Sequence, residues 1–419
     1  MAELDNLYFH GSTAEAIDAL LSFPTLYNLS KRELYEKVIR DVMEGNAGNI
    51  HPDVYKAYSD NLRKAVGGVF RSDDYGDRYF DLQAQLQSNV TRFAAYKAYH
   101  LTDQLKKQRE KWTDDDEYRK VAKAVLNTFN RYQAAEYNTA TARARTAKQW
   151  TDFTSDPIAN ELYPNLKWLP SRSANPREEH IVFYGLVLPK TDPFWQENQP
   201  GNLWNCKCDW EETDDPAANE RPATVCAKGL EGNPAETGEI FTKECTYFKQ
   251  VSGKRNQDYI ENYAKKHSEI WNVVETANGR VLESSLHGGG EKEANENTAK
   301  YFANKYGRTI YLLGRNDAAT SADAYDATLG CKVEYKNNGT ATVNAIDQAL
   351  RDANKQAPVA VIVIKSDISM GDLRNALIDR VRRCKNIAKV TIVRHGLDAT
   401  YDRSDIITDS FKIKLEDFK

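Results

Sequence analysis

Apolar residues recur at helical spacing through the first third of the chain, as at Leu34, Val38 and Val42 and again at Phe93, Tyr96 and Leu101. Most of the stretch from Thr13 to Trp150 is therefore predicted to be helical. Ser30 with Glu33 three residues on makes a capping-box start, and Gly45, Gly48 and Pro52 mark the next break. A long helix is predicted over 129–150, where Ala134, Ala135, Ala140, Ala142, Ala144 and Ala147 would let neighbouring helices approach closely. From Thr151 to Phe248 the period is lost, and Pro, Gly, Asn, Trp and Cys crowd a segment in which turns and short strands are expected. A helix over 256–275 leads to the three glycines of 288–290, which read as a linker. Beyond it the pattern alternates. Helices are predicted over 291–306, 343–356 and 371–384, and strands over 308–313, 331–336, 359–364 and 389–395, the mark of a mixed sheet covered by helices.

A chain of 419 residues is longer than one core usually supports, so a multidomain protein is expected. The predicted order is a helical region (1–87), a loop-rich α+β domain (88–250), a helix with a glycine linker (251–290) and an α/β domain (291–419). With a mean hydropathy of −0.69 and no apolar run near the roughly 20 residues of a membrane span, a transmembrane protein is excluded. The opening Met1-Ala2-Glu3-Leu4-Asp5 lacks the basic flank and apolar stretch of a secretory signal, and none is expected. A net charge of −4 offers no general attraction for nucleic acid, so binding of that kind needs a local basic surface. Arg374, Arg380, Arg382, Arg383 and Lys385 supply one, opposed nearby by Asp379. A solvated helix face would have the same composition.

Chemistry concentrates at two places. The first is Asp323-Ala324-Tyr325-Asp326 followed by Glu334-Tyr335-Lys336. Strand alternation points Glu334 and Lys336 to one face and Val333 and Tyr335 to the other. Asp323 and Glu334 are oxygen donors suited to Mg²⁺, and Lys336 could orient or help deprotonate a water. Glu-x-Lys alone is a weak signal; the acidic loop before it and the helix and apolar strand after it strengthen the pattern. The arrangement resembles the signature of the PD-(D/E)xK nucleases, with Ala322 where the family has proline. The resemblance implies a restriction-endonuclease-like α/β fold with Asp323, Glu334 and Lys336 as signature residues and Asp326 as a substitute metal ligand. It is also similar to the nuclease tips of polymorphic toxins. That likeness implies an acidic residue on the first helix, Glu293, a substrate-side Gln356, a DNA or tRNA substrate, and an immunity protein as partner if the tip is an active toxin.

The second place is His180 with Cys206 and Cys208, three borderline-soft donors that could share Zn²⁺, with Cys226, Cys245 or Asp209 available as a fourth. Six cysteines in the whole chain are too few for a disulfide scaffold. Around these donors run Tyr163-Pro164-Asn165-Leu166, Arg177 with His180, Asp192-Pro193-Phe194-Trp195, Pro200 and Trp204-Asn205-Cys206-Lys207-Cys208. In this order the motifs, from about Ser88 to Phe248, resemble the phage Mu protein F-like minor head proteins, with Lys207 where the family usually carries arginine. The resemblance implies a head-morphogenesis domain, portal and head proteins as partners, and a place in the virion, with the host cytoplasm as the site of assembly. Together the two resemblances imply a minor head protein carrying a nuclease domain. The alternatives are a purely structural head protein with an inactive nuclease fold, and a bacterial toxin with no virion role. His287-Gly288-Gly289-Gly290 matches an esterase oxyanion loop, but no Gly-x-Ser-x-Gly accompanies it, which leaves that reading without a nucleophile.

Overall fold

The computed structural model describes residues 31–174, 176–315 and 321–419. Ser30 of the expected capping box and the chain start lie outside the described residues. The described residues divide into two compact units, one of 31–73 with 78–268 and one of 74–77 with 269–419.

The first unit opens with α1 (Lys31–Met43), α2 (Pro52–Phe70), α3 (Phe80–Lys111), α4 (Asp115–Arg131) and α5 (Gln133–Ser155). Pro52 begins α2 where its missing N–H costs nothing, and the Asp114 carboxylate caps α4 by accepting from the Glu117 amide at 2.9 Å. The helix expected over 129–150 is broken at buried Tyr132, whose amide turns back to Asn130. Its alanines behave as expected in kind: Ala134, Ala135, Ala140, Ala144 and Ala147 are buried. At Gly201 the loop segment lies so close to α5 that a Cβ would meet the Arg143 backbone nitrogen at 3.3 Å, and φ is +96°.

Charges hold this unit together where they are dry. Lys97 on α3 and Glu136 on α5 are 0% and 2% exposed and pair at 2.5 Å, with the ammonium 4.6 Å from the Tyr58 ring centre. Burial pushes the Glu136 carboxyl up and the Lys97 ammonium down, each opposed by its partner. Arg143 is fully buried and donates to the carbonyls of Leu230 (2.7 Å), Glu231, Gly232 and Glu239, which ties the loop segment to α5. Beyond α5 a small antiparallel sheet follows, with β1 (Asn165–Leu169) between β2 (Val187–Pro189) and β3 (Asp209–Thr213). Its core is aromatic: Trp150, Trp168, Phe183, Phe194, Trp195 and Trp210 surround Cys206 and Cys208. The unit closes with α6 (Lys254–His267).

The second unit begins earlier than the glycines suggested. The helix expected over 256–275 stops at His267, where Ser268 turns extended. The chain then forms β4 (Trp271–Val274) and β5 (Arg280–Ser284), and His287 is anchored to the Leu313 carbonyl at 2.8 Å, so the glycines of 288–290 lie inside the unit. There follow α7 (Lys292–Tyr306), β6 (Thr309–Leu312), β7 (Ala324–Asp326), β8 (Cys331–Asn338), α8 (Val343–Ala353), β9 (Val359–Ile364), α9 (Met370–Val381), β10 (Lys389–Arg394) and β11 (Leu397–Asp402). One mixed eight-stranded sheet runs in the order β11-β10-β9-β8-β7-β6-β5-β4. Strand β11, not expected from the sequence, returns through a turn at His395 and Gly396, both with positive φ as the tight hairpin geometry requires.

Helices cover both faces of this sheet. Val281, Ile310, Ala324, Val333, Tyr335 and Val361 pack against Ala299, Phe302 and Ala303 of α7. On the other face Ala360, Ile362, Val390 and Ile392 meet Ile346 and Leu350 of α8 and Leu373 and Leu377 of α9. Val359 to Ile364 is apolar at every position because β9 is a central, parallel-paired strand with both faces buried.

The dry pair in the first unit gives a direct prediction. Lys97→Ala strands the Glu136 carboxylate and should cost about 3–5 kcal/mol in urea unfolding, whereas Lys97→Met with Glu136→Leu should cost far less. Equal losses in the single and double variants would show that the charges are not what matters there.

Candidate functional site

Asp323, Glu334 and Lys336 converge where β7 meets β8. Antiparallel pairing sets Ala324 opposite Val333, so Asp323, one residue earlier, comes beside Glu334. The two residues clasp each other through backbone and side chain. The Asp323 amide donates to Glu334 Oε2 at 3.1 Å, and the Tyr335 amide donates to Asp323 Oδ2 at 3.0 Å. Lys336 Nζ donates to Glu334 Oε1 at 2.5 Å. Glu334 and Lys336 share a face while Val333 and Tyr335 enter the core under α7, as strand alternation requires.

A fourth residue completes the group. Asn295 on α7 is 1% exposed, and its side-chain N–H donates to Asp323 Oδ1 at 3.0 Å. Its carbonyl oxygen is buried without a hydrogen-bond partner. Sequence reasoning placed the first-helix contribution at Glu293, which is exposed in the first turn of α7. The signal for Asn295 was its position on the stripe that carries Thr298, Ala299 and Phe302 into the core, where an amide is out of place without a polar partner.

The other expected members stand apart. Asp326 accepts from Arg308 at 3.2 Å and from the Leu329 amide at 3.0 Å, so its carboxylate is committed to a turn and a guanidinium. Helix α8 ends at Ala353, which leaves Gln356 in the following turn. Among the described residues it makes no hydrogen bond to Asp323, Glu334 or Lys336. The basic surface is partly neutralised: Arg380 and Arg383 both pair with Asp347 and Arg382 pairs with Asp409. Arg374 donates to the carbonyls of Phe411 and Asp409. Lys385 is exposed.

Burial, and next the negative charge of Asp323, push the Glu334 carboxyl up to about 7, against the pull of Lys336. Burial pulls the Lys336 ammonium down, but the hydrogen bond to Glu334 and the charges of Glu334, Asp323 and Glu291 together outweigh it, so Lys336 is raised.

The second candidate group is also assembled. His180, in the short helix Glu178–Ile181, and the two thiols of the turn before β3 are buried, with donor atoms all within 4.8 Å of one another. Cys206 Sγ lies 3.3 Å and Cys208 Sγ 3.7 Å from His180 Nδ1. Hydrogen bonding from Cys208 and the neighbouring imidazole hold the Cys206 thiol low, and Cys208 is correspondingly raised. Among the described residues this is the one cluster of three His, Cys, Asp or Glu donors, and neither Cys226, Cys245 nor Asp209 joins it. Asp209 is engaged by Gln149 and Arg172.

Glu334 binds its proton more tightly in the folded state than in the unfolded one, so its contribution favours folding at acid pH and is lost as pH rises through about 7. In EDTA, Glu334→Gln should therefore gain on the wild type by on the order of 2 kcal/mol between pH 5 and pH 8, followed by urea unfolding of the second unit. A gap that does not change with pH would remove the buried carboxylate as its source.

No family model matches the chain, and no solved structure does. Over 87 residues the chain is 30% identical to a protein of Escherichia phage Mu described as "Putative capsid assembly protein F", a match that spans 21% of this chain and 19% of that protein. The chain is thus similar, over about a fifth of each length, to a phage head-related protein.

Proposed function

We propose that this chain is a minor head protein of a tailed phage whose second unit hydrolyses phosphodiester bonds in DNA or tRNA with Mg²⁺. The likeness to a phage Mu protein described as a capsid assembly protein supports the first half. It suggests portal and head proteins as partners and the virion as the place of action. One observation carries the second half: two buried carboxylates, Asp323 and Glu334, are held side by side with an ammonium at the end of a strand pair. The order α7, β6, β7, β8, α8, β9 is also the helix, three strands, helix, strand sequence that the nuclease resemblance implies.

The residues fit a hard divalent cation. Asp323 and Glu334 repel each other unless a positive charge intervenes, and Asn295, whose N–H donates to Asp323, keeps a buried carbonyl oxygen without a partner. When bound, Mg²⁺ supplies Lewis-acid stabilisation of the charge that develops on the phosphate. The chain's own residues do the rest. Asn295 and the Tyr335 amide fix the Asp323 carboxylate, Glu334 holds Lys336 by its ammonium, and Lys336 orients the water that attacks in line with the leaving oxygen. If the unit is a toxin tip, a producing cell needs an immunity protein.

A structural role without turnover is the second reading, and it is favoured by the pairing of Arg380, Arg382 and Arg383 with Asp347 and Asp409, which leaves less free basic surface for a phosphate backbone.

The purified full chain should cut plasmid or tRNA in Mg²⁺ and not in EDTA, and Lys336→Ala should slow cutting by about 100-fold or more. Cutting that survives Lys336→Ala, or no cutting of either substrate, favours the structural reading. Mass spectrometry of purified particles should find the chain in them, and its absence would overturn the virion half.

A further inference from the structure

In the first unit, well away in sequence from the carboxylate pair, the aromatic core holds chemistry that packing does not explain. Both sulfurs converge on one atom, His180 Nδ1, at 3.3 and 3.7 Å. A neutral imidazole nitrogen offers one lone pair, so it can accept from one thiol and not from two. The rest of the surroundings leaves a polar group stranded as well. His180 Nε2 is buried without a hydrogen-bond partner, and the Trp168 indole and the Tyr184 hydroxyl face the Cys208 sulfur.

The backbone that presents the thiols is fixed from outside the cluster. Asn205 holds a left-handed conformation at φ +59°, unusual for a side-chain-bearing residue, and its amide donates to Thr139 on α5 at 2.8 Å. Arg177, three residues before His180, donates to the Trp204 carbonyl at 2.7 Å. The Cys208 amide points at Cys206 Sγ at 3.4 Å, a contact that favours a thiolate there. Lys207, between the thiols, is exposed. Two adjacent turns are thus locked in the one conformation that turns both sulfurs inward toward the imidazole.

We propose that His180, Cys206 and Cys208 are three ligands of a zinc ion, with a solvent molecule in the fourth position, and that the ion clamps the short helix carrying His180 to the Cys206–Cys208 turn. Zinc bonded to sulfur and to nitrogen at tetrahedral angles sets those two ligand atoms about 3.5–3.6 Å apart, between the two distances seen. Thiolate and imidazole select zinc over magnesium or calcium. The three-stranded sheet has strands of only three to five residues, so a metal clip would add to what such short ladders supply. His180, Cys206 and Cys208 link segments about 26 residues apart, so the clamp also closes a loop that the unfolded chain would leave open.

The test uses the full chain purified under reducing conditions without chelator, with zinc measured by plasma mass spectrometry. The expected content is one zinc per chain, falling below about a tenth in Cys208→Ser and in His180→Gln and unchanged in Cys331→Ser. Should those variants fail to fold, cobalt titration of the metal-stripped wild type decides: an intense thiolate-to-cobalt absorption band at one equivalent supports the site. Wild-type protein without zinc and without that band, or zinc retained in the Cys208→Ser and His180→Gln variants, overturns it. So does an intact mass two hydrogens low that maps to a Cys206–Cys208 disulfide in protein prepared without oxidant.

Discussion

A carboxylate can leave water only if something else answers its charge, and the second unit is organised around that constraint at Asp323 and Glu334. Neither is placed by apolar packing. Each is held by the other's backbone neighbourhood, through the Asp323 amide to Glu334 and the Tyr335 amide to Asp323. These bonds stand where the β7–β8 ladder runs out, so the same contacts that end the strand pairing build the site. Removing water makes the arrangement tense: Glu334 is pushed up toward neutrality by burial and by Asp323. Lys336 relieves part of that and leaves the pair short of full compensation.

The first unit meets the same constraint with a different outcome. Lys97 and Glu136 are buried between long helices, with the Tyr58 ring against the ammonium. One cation answers one anion there, and the pair reads as part of the scaffold. A pair of that sort seldom adds stability over an apolar substitute, but losing one partner is costly. The thiol and imidazole group is a third case. Its donors are soft where those of the carboxylate pair are hard, so each would draw a different metal from the same solution.

What the sequence made legible was whatever depends on local pattern. Strand alternation put Glu334 and Lys336 on one face, the all-apolar β9 announced its central place, and His180 with two cysteines stood out by residue type. The misses have a common physical origin in long-range partners. Asn295 is marked in the sequence only as a polar residue on an apolar stripe, and its partner is known only once α7 lies against the end of β7. The arginines around α9 look free until Asp347 on α8 is packed beside Arg380 and Arg383. Asp326 looks equivalent to Asp323 until Arg308, from the start of β6, reaches it. Strands β4 and β7 span only four and three residues, too short to display a period of two against their surroundings.

The loss of Asp326 from the group changes what the pair can be. With three carboxylates the cation would be held by protein on most sides, as in a storage or structural site. If the proposed cation sits between Asp323 and Glu334 alone, more than half of an octahedral shell would be left to water and to oxygens from outside the chain. A magnesium ion is held well by one or two carboxylates when a phosphate supplies further oxygens, so a site of this composition is weak by itself and strong with its substrate. A sparse donor set is what the proposed phosphodiester hydrolysis would require and a resident structural ion would not. A neutral Asn295 suits the same proposal, since a third anion there would repel an incoming phosphate.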